Sequence, residues 1–336
     1  MRRLLLACAL LAGCDERGGG APPDAFPDAA PELPDAAVGD PETLEQTGLY
    51  SDFEDQVLAP GVVEYQVRWE LWADGAEKRR FVLLPAGETI DSSDMDFWTV
   101  PVGTKIWKEF SVGDTRVETR LIWKRGPAPE DWFAMAYAWN AEGSEALAVP
   151  EGMDDALGTA HDIPRDNDCG RCHGRQPDFV LGFAALQLDH DQEGMTLAAL
   201  IEGGALSDPP AGESPYFPLP GDETAQAALG TLHGNCGGCH HAQSDVQEQT
   251  PMQLRLTVAT LGAVEETPAF TSAVDQAEAK PLGGDVTAII ASGSHMASAV
   301  WVRMGIRGNM TGMPPLASEE PDEDGRGAVA TWIDSL

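Results

Sequence analysis

Two stretches of this chain combine residues whose types and spacing suit covalent cofactor chemistry: Cys169-Gly170-Arg171-Cys172-His173 and Cys236-Gly237-Gly238-Cys239-His240. Each is a C-x-x-C-H pentapeptide. Two thiols three residues apart lie on one side of a helical turn, where each can form a thioether with one vinyl group of a haem. The imidazole that follows then sits beneath the porphyrin as an iron ligand. Two other chemistries use the same thiols. A four-thiolate zinc site would draw on Cys169, Cys172, Cys236 and Cys239 but leaves His173 and His240 idle. A redox dithiol follows a strand in a βαβ unit, and the Gly-rich surroundings here show none. Two complete copies in one chain favour haem. The expectation is two covalently attached haems, with Cys169, Cys172, Cys236 and Cys239 as attachment points and His173 and His240 as proximal iron ligands.

The remaining cysteines point to export. Of the six in the chain, the two outside the motifs are Cys8 and Cys14. Met1-Arg2-Arg3 and the apolar run 4–12 read as a targeting segment, too short for a membrane span. Leu11-Ala12-Gly13-Cys14 resembles a bacterial lipobox, which implies cleavage before Cys14 and lipid on its thiol. Segment 1–14 is then the leader, and the Pro-, Gly- and Asp-rich stretch 15–45 is a disordered tether that cannot bury a core. Nothing later approaches the ~18 apolar residues of a transmembrane helix. The expected location is the bacterial periplasm or cell surface, with the membrane reached through the lipid alone. No cysteine is left there for a structural disulfide.

Charge narrows the partners. Against 55 Asp and Glu the chain has 21 Lys and Arg, a formal net charge of −34. A basic surface for nucleic acid is excluded. Attraction to a basic redox protein is compatible with this charge, though solubility accounts for it as well, because the acidic tether carries part of it.

The elements that must position the motifs change character along the chain. From 63 to 71 apolar and polar residues alternate with period two, as in a half-buried strand. Asp74-Gly75 is a turn signal and 81–84 a returning strand. Residues 105–112, a Gly113-Asp114 turn and 116–124 form a hairpin, and 132–139 is a further strand. The fold class expected is α+β and multidomain: an antiparallel β domain, sandwich or barrel, over 55–155, then a mostly α region. The latter divides into a first haem module, 165–232, and a second, 233–336. Helical patterns occupy 225–232, 298–304 and 326–336, with Val329, Trp332 and Ile333 on one face of the last.

Met313 lies in a Met-Pro-Pro loop before that final helix. The order C-x-x-C-H, helices, Met-Pro, closing helix resembles a class I cytochrome c, and the resemblance implies Met313 as distal ligand opposite His240. Met310, Met304 and His295 are the alternatives. A thioether there raises the potential and favours electron transfer. The first motif has no comparable loop: 216–220 is Pro-rich but contains no Met. Met195, His190 and His233 are the nearby candidates, and the first iron could also lack a protein sixth ligand.

Several stretches taken together are similar to a family of exported dihaem c-type cytochromes with a β-rich front half. They are Pro101-Val102-Gly103-Thr104-Lys105, Val117-Glu118-Thr119-Arg120-Leu121, Tyr137-Ala138-Trp139-Asn140, Leu181-Gly182 with Gln187-Leu188, and Met313-Pro314-Pro315-Leu316. The likeness runs from about residue 60 to the C-terminus. It implies two haems and electron transfer with redox partner proteins, and no known substrate. An electron carrier is therefore the first expectation. A peroxidase-like dihaem enzyme with an open site on the first haem is the second. A binding module in the β half, with haems that report redox state, is the third.

Overall fold

The computed structural model describes residues 39–309, 311–315 and 318–336. The leader 1–14 with Cys14, the tether as far as residue 38, and Met310 lie outside the described residues. The period-two alternation in the front half produces one six-stranded antiparallel meander. Its strands are β3 (Val62–Tyr65), β4 (Glu77–Leu83), β5 (Lys105–Val112), β6 (Thr115–Lys124), β7 (Trp132–Trp139) and β8 (Ala146–Ala148), and each pairs with the next. A separate hairpin, β1 (Tyr50–Asp52) and β2 (Val57–Leu58), precedes it. The β5–β6 hairpin turns at Gly113, whose φ of 56° is easy for a residue without Cβ. β3 and β8 are the two edges and do not pair, so the sheet stays open. The expected barrel does not form, and helices and loops cover the sheet where a second sheet would lie in a sandwich.

The two faces of the sheet have different partners because neighbouring side chains point to opposite sides. One face presents Phe81, Trp107, Leu121, Tyr137 and Trp139, which pack with Leu44, Leu49 and Tyr50. Residues 42–44, the end of the expected tether, run beside β8, with Leu44 N–H donating to Ala146 O at 2.9 Å. The opposite face presents Val82, Ile106 and Ile122, which share a core with Phe183, Leu188, Leu197 and Leu200. The sheet and the segment after the first motif therefore bury their apolar surface together.

The last part of the chain contains a few helices joined by long irregular segments. Helices α1 (Asp166–His173), α2 (Ala185–Leu188) and α3 (Leu197–Glu202) are short, and α4 (Glu223–Asn235) is longer. They are followed by α5 (Pro268–Ala273), α6 (Ala299–Met304) and α7 (Glu323–Ser335). The carboxylates of Asp222 and Asp322 accept from N–H groups at the starts of α4 and α7, at 3.0 and 2.8 Å. That cap starts α7 three residues before the expected 326. Leu229 and Leu232 of α4 meet Val329, Trp332 and Ile333 of α7 in a further core. No helix among the described residues is long and apolar enough to cross a membrane.

One expected strand is cut short. After Tyr65 the chain leaves the sheet and runs along the helices. Its backbone groups find partners there: Gln187 bonds Trp69 N–H and O at 3.0 and 3.1 Å, and Asn235 Oδ1 accepts from Trp72 N–H at 2.7 Å. The Trp69 ring lies against Gly230 of α4 so closely that a Cβ there would overlap the indole. Trp69 thus joins the sheet half to the helical half.

Candidate functional site

The first motif occupies the last five residues of α1, so Cys169, Cys172 and His173 sit on consecutive turns of one short helix. His173 Nδ1 faces the Phe179 carbonyl at 2.8 Å, and a carbonyl can only accept. The proton is therefore on Nδ1 and the lone pair on Nε2, the arrangement that orients a histidine ligand toward a metal. Burial pushes the His173 imidazole down to about 4, despite the opposing bond to Phe179. It is neutral at physiological pH, as ligation requires.

The second motif continues α4 past its end. Cys236 and Gly237 N–H both donate to Leu232 O at 2.9 Å, and His240 N–H to Cys236 O at 2.9 Å. Gly237 and Gly238 permit close packing. A Cβ on Gly237 would meet the His233 carbonyl at 2.6 Å, and one on Gly238 would meet Leu181 at 2.7 Å. Burial holds His240 down at about 4 as well. Its Nδ1 is buried without a hydrogen bond of normal geometry, although the Met252 backbone is close enough to favour its proton.

The two motifs, far apart in the chain, meet in space. The Cys172 and Cys239 thiols come close enough to shift each other's proton affinity, lowering Cys172 to about 6 and raising Cys239. Gln176 Nε2 donates to Gly238 O at 2.5 Å, and Arg175 pairs with Asp245 at 2.8 Å across the same junction. Cys236, half-buried like the other three, differs in packing against the α4–α7 core, where burial raises its thiol to about 12. Among the described residues no cluster of three or more His, Cys, Asp or Glu is arranged around a metal-sized point. The four thiols do not form a zinc-like knot.

Both motifs open onto one cleft of about 1500 Å³ between the sheet and the helices. Cations from three directions reach it: Arg80, Lys108 and Arg120 from the sheet, Arg171 and Arg175 from around α1, and Arg255, Arg303 and Arg307 from the helical half. Carboxylates on the cleft include the exposed Glu151, Asp154 and Glu319. In a chain so acidic this concentration of cations matches the two propionates that each haem carries. Volume, neutral imidazoles, cationic walls and three of the four motif thiols fit haem, while Cys236 packs against the helical core instead of lining the cleft.

The expected distal residues divide sharply. Met313 lines the cleft, held by its N–H to Arg303 O at 3.0 Å, while Arg303 Nη1 also bonds Thr311 O at 3.0 Å. Met304 is buried in the helical core, and His295 bonds Asp334 at 2.7 Å away from the cleft. His233 does line the cleft, but its Nδ1 accepts from Leu256 N–H at 3.0 Å, so its lone pair is already used. His190 spends one ring nitrogen on Gln66 O at 3.1 Å and the other on Gln192 N–H at 3.2 Å. Met195 lies in the core shared by sheet and helices, 4 % exposed.

Sequence reasoning placed no functional residue in the front half, and the structure brings several to the cleft. Glu118, fully buried, accepts from Arg120 at 2.5 and 2.8 Å and pairs with His161 Nε2 at 2.7 Å. Arg80, Lys108 and Arg120 are directly opposite one another on adjacent strands. Their positions of equal parity were the available signal, but only the register reveals that they form a row. Comparison with family models, with characterised proteins and with solved structures finds no match, so the site is read from its own geometry.

Proposed function

We propose that this chain is an exported dihaem c-type cytochrome that carries electrons in the bacterial envelope. The observation that carries this reading is the junction of the two motifs, where Gln176 Nε2 donates to Gly238 O and both motifs open onto one cleft. With a haem on each motif, the two porphyrins would share one cleft, close enough for an electron to pass between them. Haem, when bound, supplies one-electron redox chemistry. The chain's own residues attach it through Cys169, Cys172, Cys236 and Cys239, present neutral imidazoles from His173 and His240, and balance its propionates with the cleft's cations. Met313 completes the second site from a loop held by Arg303, following the class I cytochrome c order in 233–336. The open sheet, in this reading, is the wall of the first site, and the partners are redox proteins rather than nucleic acid. Cys14 supplies the lipid anchor.

The test uses the full-length protein matured in cells that have cytochrome c assembly machinery. Mass spectrometry after denaturation is expected to find two covalent haems. The protein should sediment with membranes and be released by Cys14→Ser with its haem spectrum unchanged. Zinc without covalent haem would end the reading. A second reading, a dihaem oxidoreductase with peroxidase-like chemistry, draws support from His161, which Glu118 holds at the cleft wall. Turnover of peroxide by the dihaem protein, lost in His161→Gln, would favour that second reading.

A further inference from the structure

The first motif's cleft wall contains a side chain with no partner in the fold. β5 places Lys108 between Arg80 of β4 and Arg120 of β6, and the three project from one face of the sheet into the cleft that His173 also lines. Like charges directly opposite on neighbouring strands destabilise each other. The flanking cations are compensated: Arg80 pairs with Glu70 at 2.8 Å, and Arg120 with the buried Glu118. Lys108 makes no hydrogen bond or ion pair among the described residues, and its Nζ stands 4.8 Å from the Phe110 ring.

We propose that the Lys108 amine is the sixth ligand of the iron held by His173. The inference rests on the two-haem reading and adds to it the ligand that reading lacks. An ammonium between two guanidiniums is the costly form of this side chain. The amine has a lone pair and a four-carbon stem on which to reach the cleft. Burial first, then Arg80, Arg120 and Lys78, hold its proton affinity well below that of an ordinary lysine. Lys108 and His173 both line the cleft. Met153 and Met252 also line the cleft and are the thioether competitors; the nitrogen competitors and Met195 are placed otherwise. His161 is held by Glu118, His233 has given its lone pair to Leu256 N–H, and neither His190 nor Met195 lines the cleft.

The opposing role for Lys108 is a charged partner for a haem propionate. Three substitutions in the matured dihaem protein separate the two. Lys108→Arg keeps the charge but offers no usable lone pair. Lys108→Ala removes both, and Lys108→Met replaces the amine by a thioether that can bind iron. The readouts are haem count and the electron paramagnetic resonance and near-infrared spectra of the ferric protein. In the wild type the first haem should be low-spin with two nitrogen ligands. Lys108→Arg and Lys108→Ala should each convert one of the two haems to high spin, with the haem count at two and the Met313 signature intact. Lys108→Met should restore low spin with a second methionine–iron band. A first haem that stays low-spin in Lys108→Arg, or is already high-spin in the wild type, overturns the proposal. If Lys108→Ala loses the first haem, Lys108→Met must recover it as low-spin, and failure to do so counts against the ligand role. A wild-type protein without covalent haem would instead remove the two-haem reading itself.

Discussion

The two C-x-x-C-H motifs share a five-residue pattern and have contrasting surroundings. The first is on α1, an eight-residue helix whose residues are half-buried or exposed, facing a β-sheet wall of cations. The second extends the thirteen-residue α4, whose inner face is packed against α7, and it opens onto the cleft that Met313 also lines. Identical local chemistry is thus given two environments. Under the proposed reading, one offers the Lys108 amine and the other the Met313 thioether. Under the two-haem reading, the surroundings rather than the motifs set the difference in potential between the irons, and a potential difference gives electron flow a direction.

The largest effect expected from breaking this contrast is at Met313. Met313→Ala should abolish the weak far-red band of ferric iron bound to methionine and lower the potential of the second haem, while the first haem's spectrum stays as it was. A band that survives, or that vanishes with Met252→Ala instead, would mean the loop does not supply the ligand.

Next in size is the joint between the two halves. Trp69→Ala removes the ring seated on Gly230 and should cost stability toward the lower end of the ~3–5 kcal/mol typical of such truncations, since Trp69 is only partly buried. Gly230→Val forces a clash at the same place, with a cost of about 1–3 kcal/mol. Chemical denaturation of the apoprotein measures both. Stability unchanged within a few tenths of a kcal/mol in both variants would show that the halves do not depend on this contact.

The smallest effect near neutrality is a pH effect. His173, His240 and His241 are held down at about 4, and His233 is likewise held well below the ordinary imidazole range, all mainly by burial. A buried neutral imidazole gains a proton on unfolding below about pH 6.5, so the unfolded state then binds more protons than the folded one. Apoprotein stability should be full above that range, fall modestly by pH 6, and fall further as pH drops toward 4. Three of these four histidines flank the second motif, so hydrogen exchange should show protection lost there before it is lost in the sheet. Equal loss in both regions, or a flat melting temperature from pH 7 to 5, would contradict this account.

Much of the local structure was legible because its causes are local. The β5–β6 hairpin follows from alternation and a Gly-Asp turn, and both strands end within a residue of where the pattern ends. β7 is the same, and α4 and α7 lie where the apolar stripes run, lengthened by their Asp caps. The motif chemistry was equally local, since thiols and imidazole are fixed by consecutive positions. The strand expected over 63–71 stopped at Tyr65 because Gln187 and Asn235, more than a hundred residues later, took over its backbone partners.

By itself, then, the order of residues determined where paired thiols and an imidazole stand together and which segments are strands or helices. These depend on spacings of two, three and four residues that no distant contact has to supply. The tertiary structure alone decided that the two motifs touch, that His233 gives its lone pair to a backbone N–H, and that Met313 reaches the cleft while Met195 does not. It also decided that Arg80, Lys108 and Arg120 stand in a row. Strand register and the docking of sheet on helices arise from apolar surfaces that fit only when the whole chain has closed around them, so no short stretch of sequence contains that information.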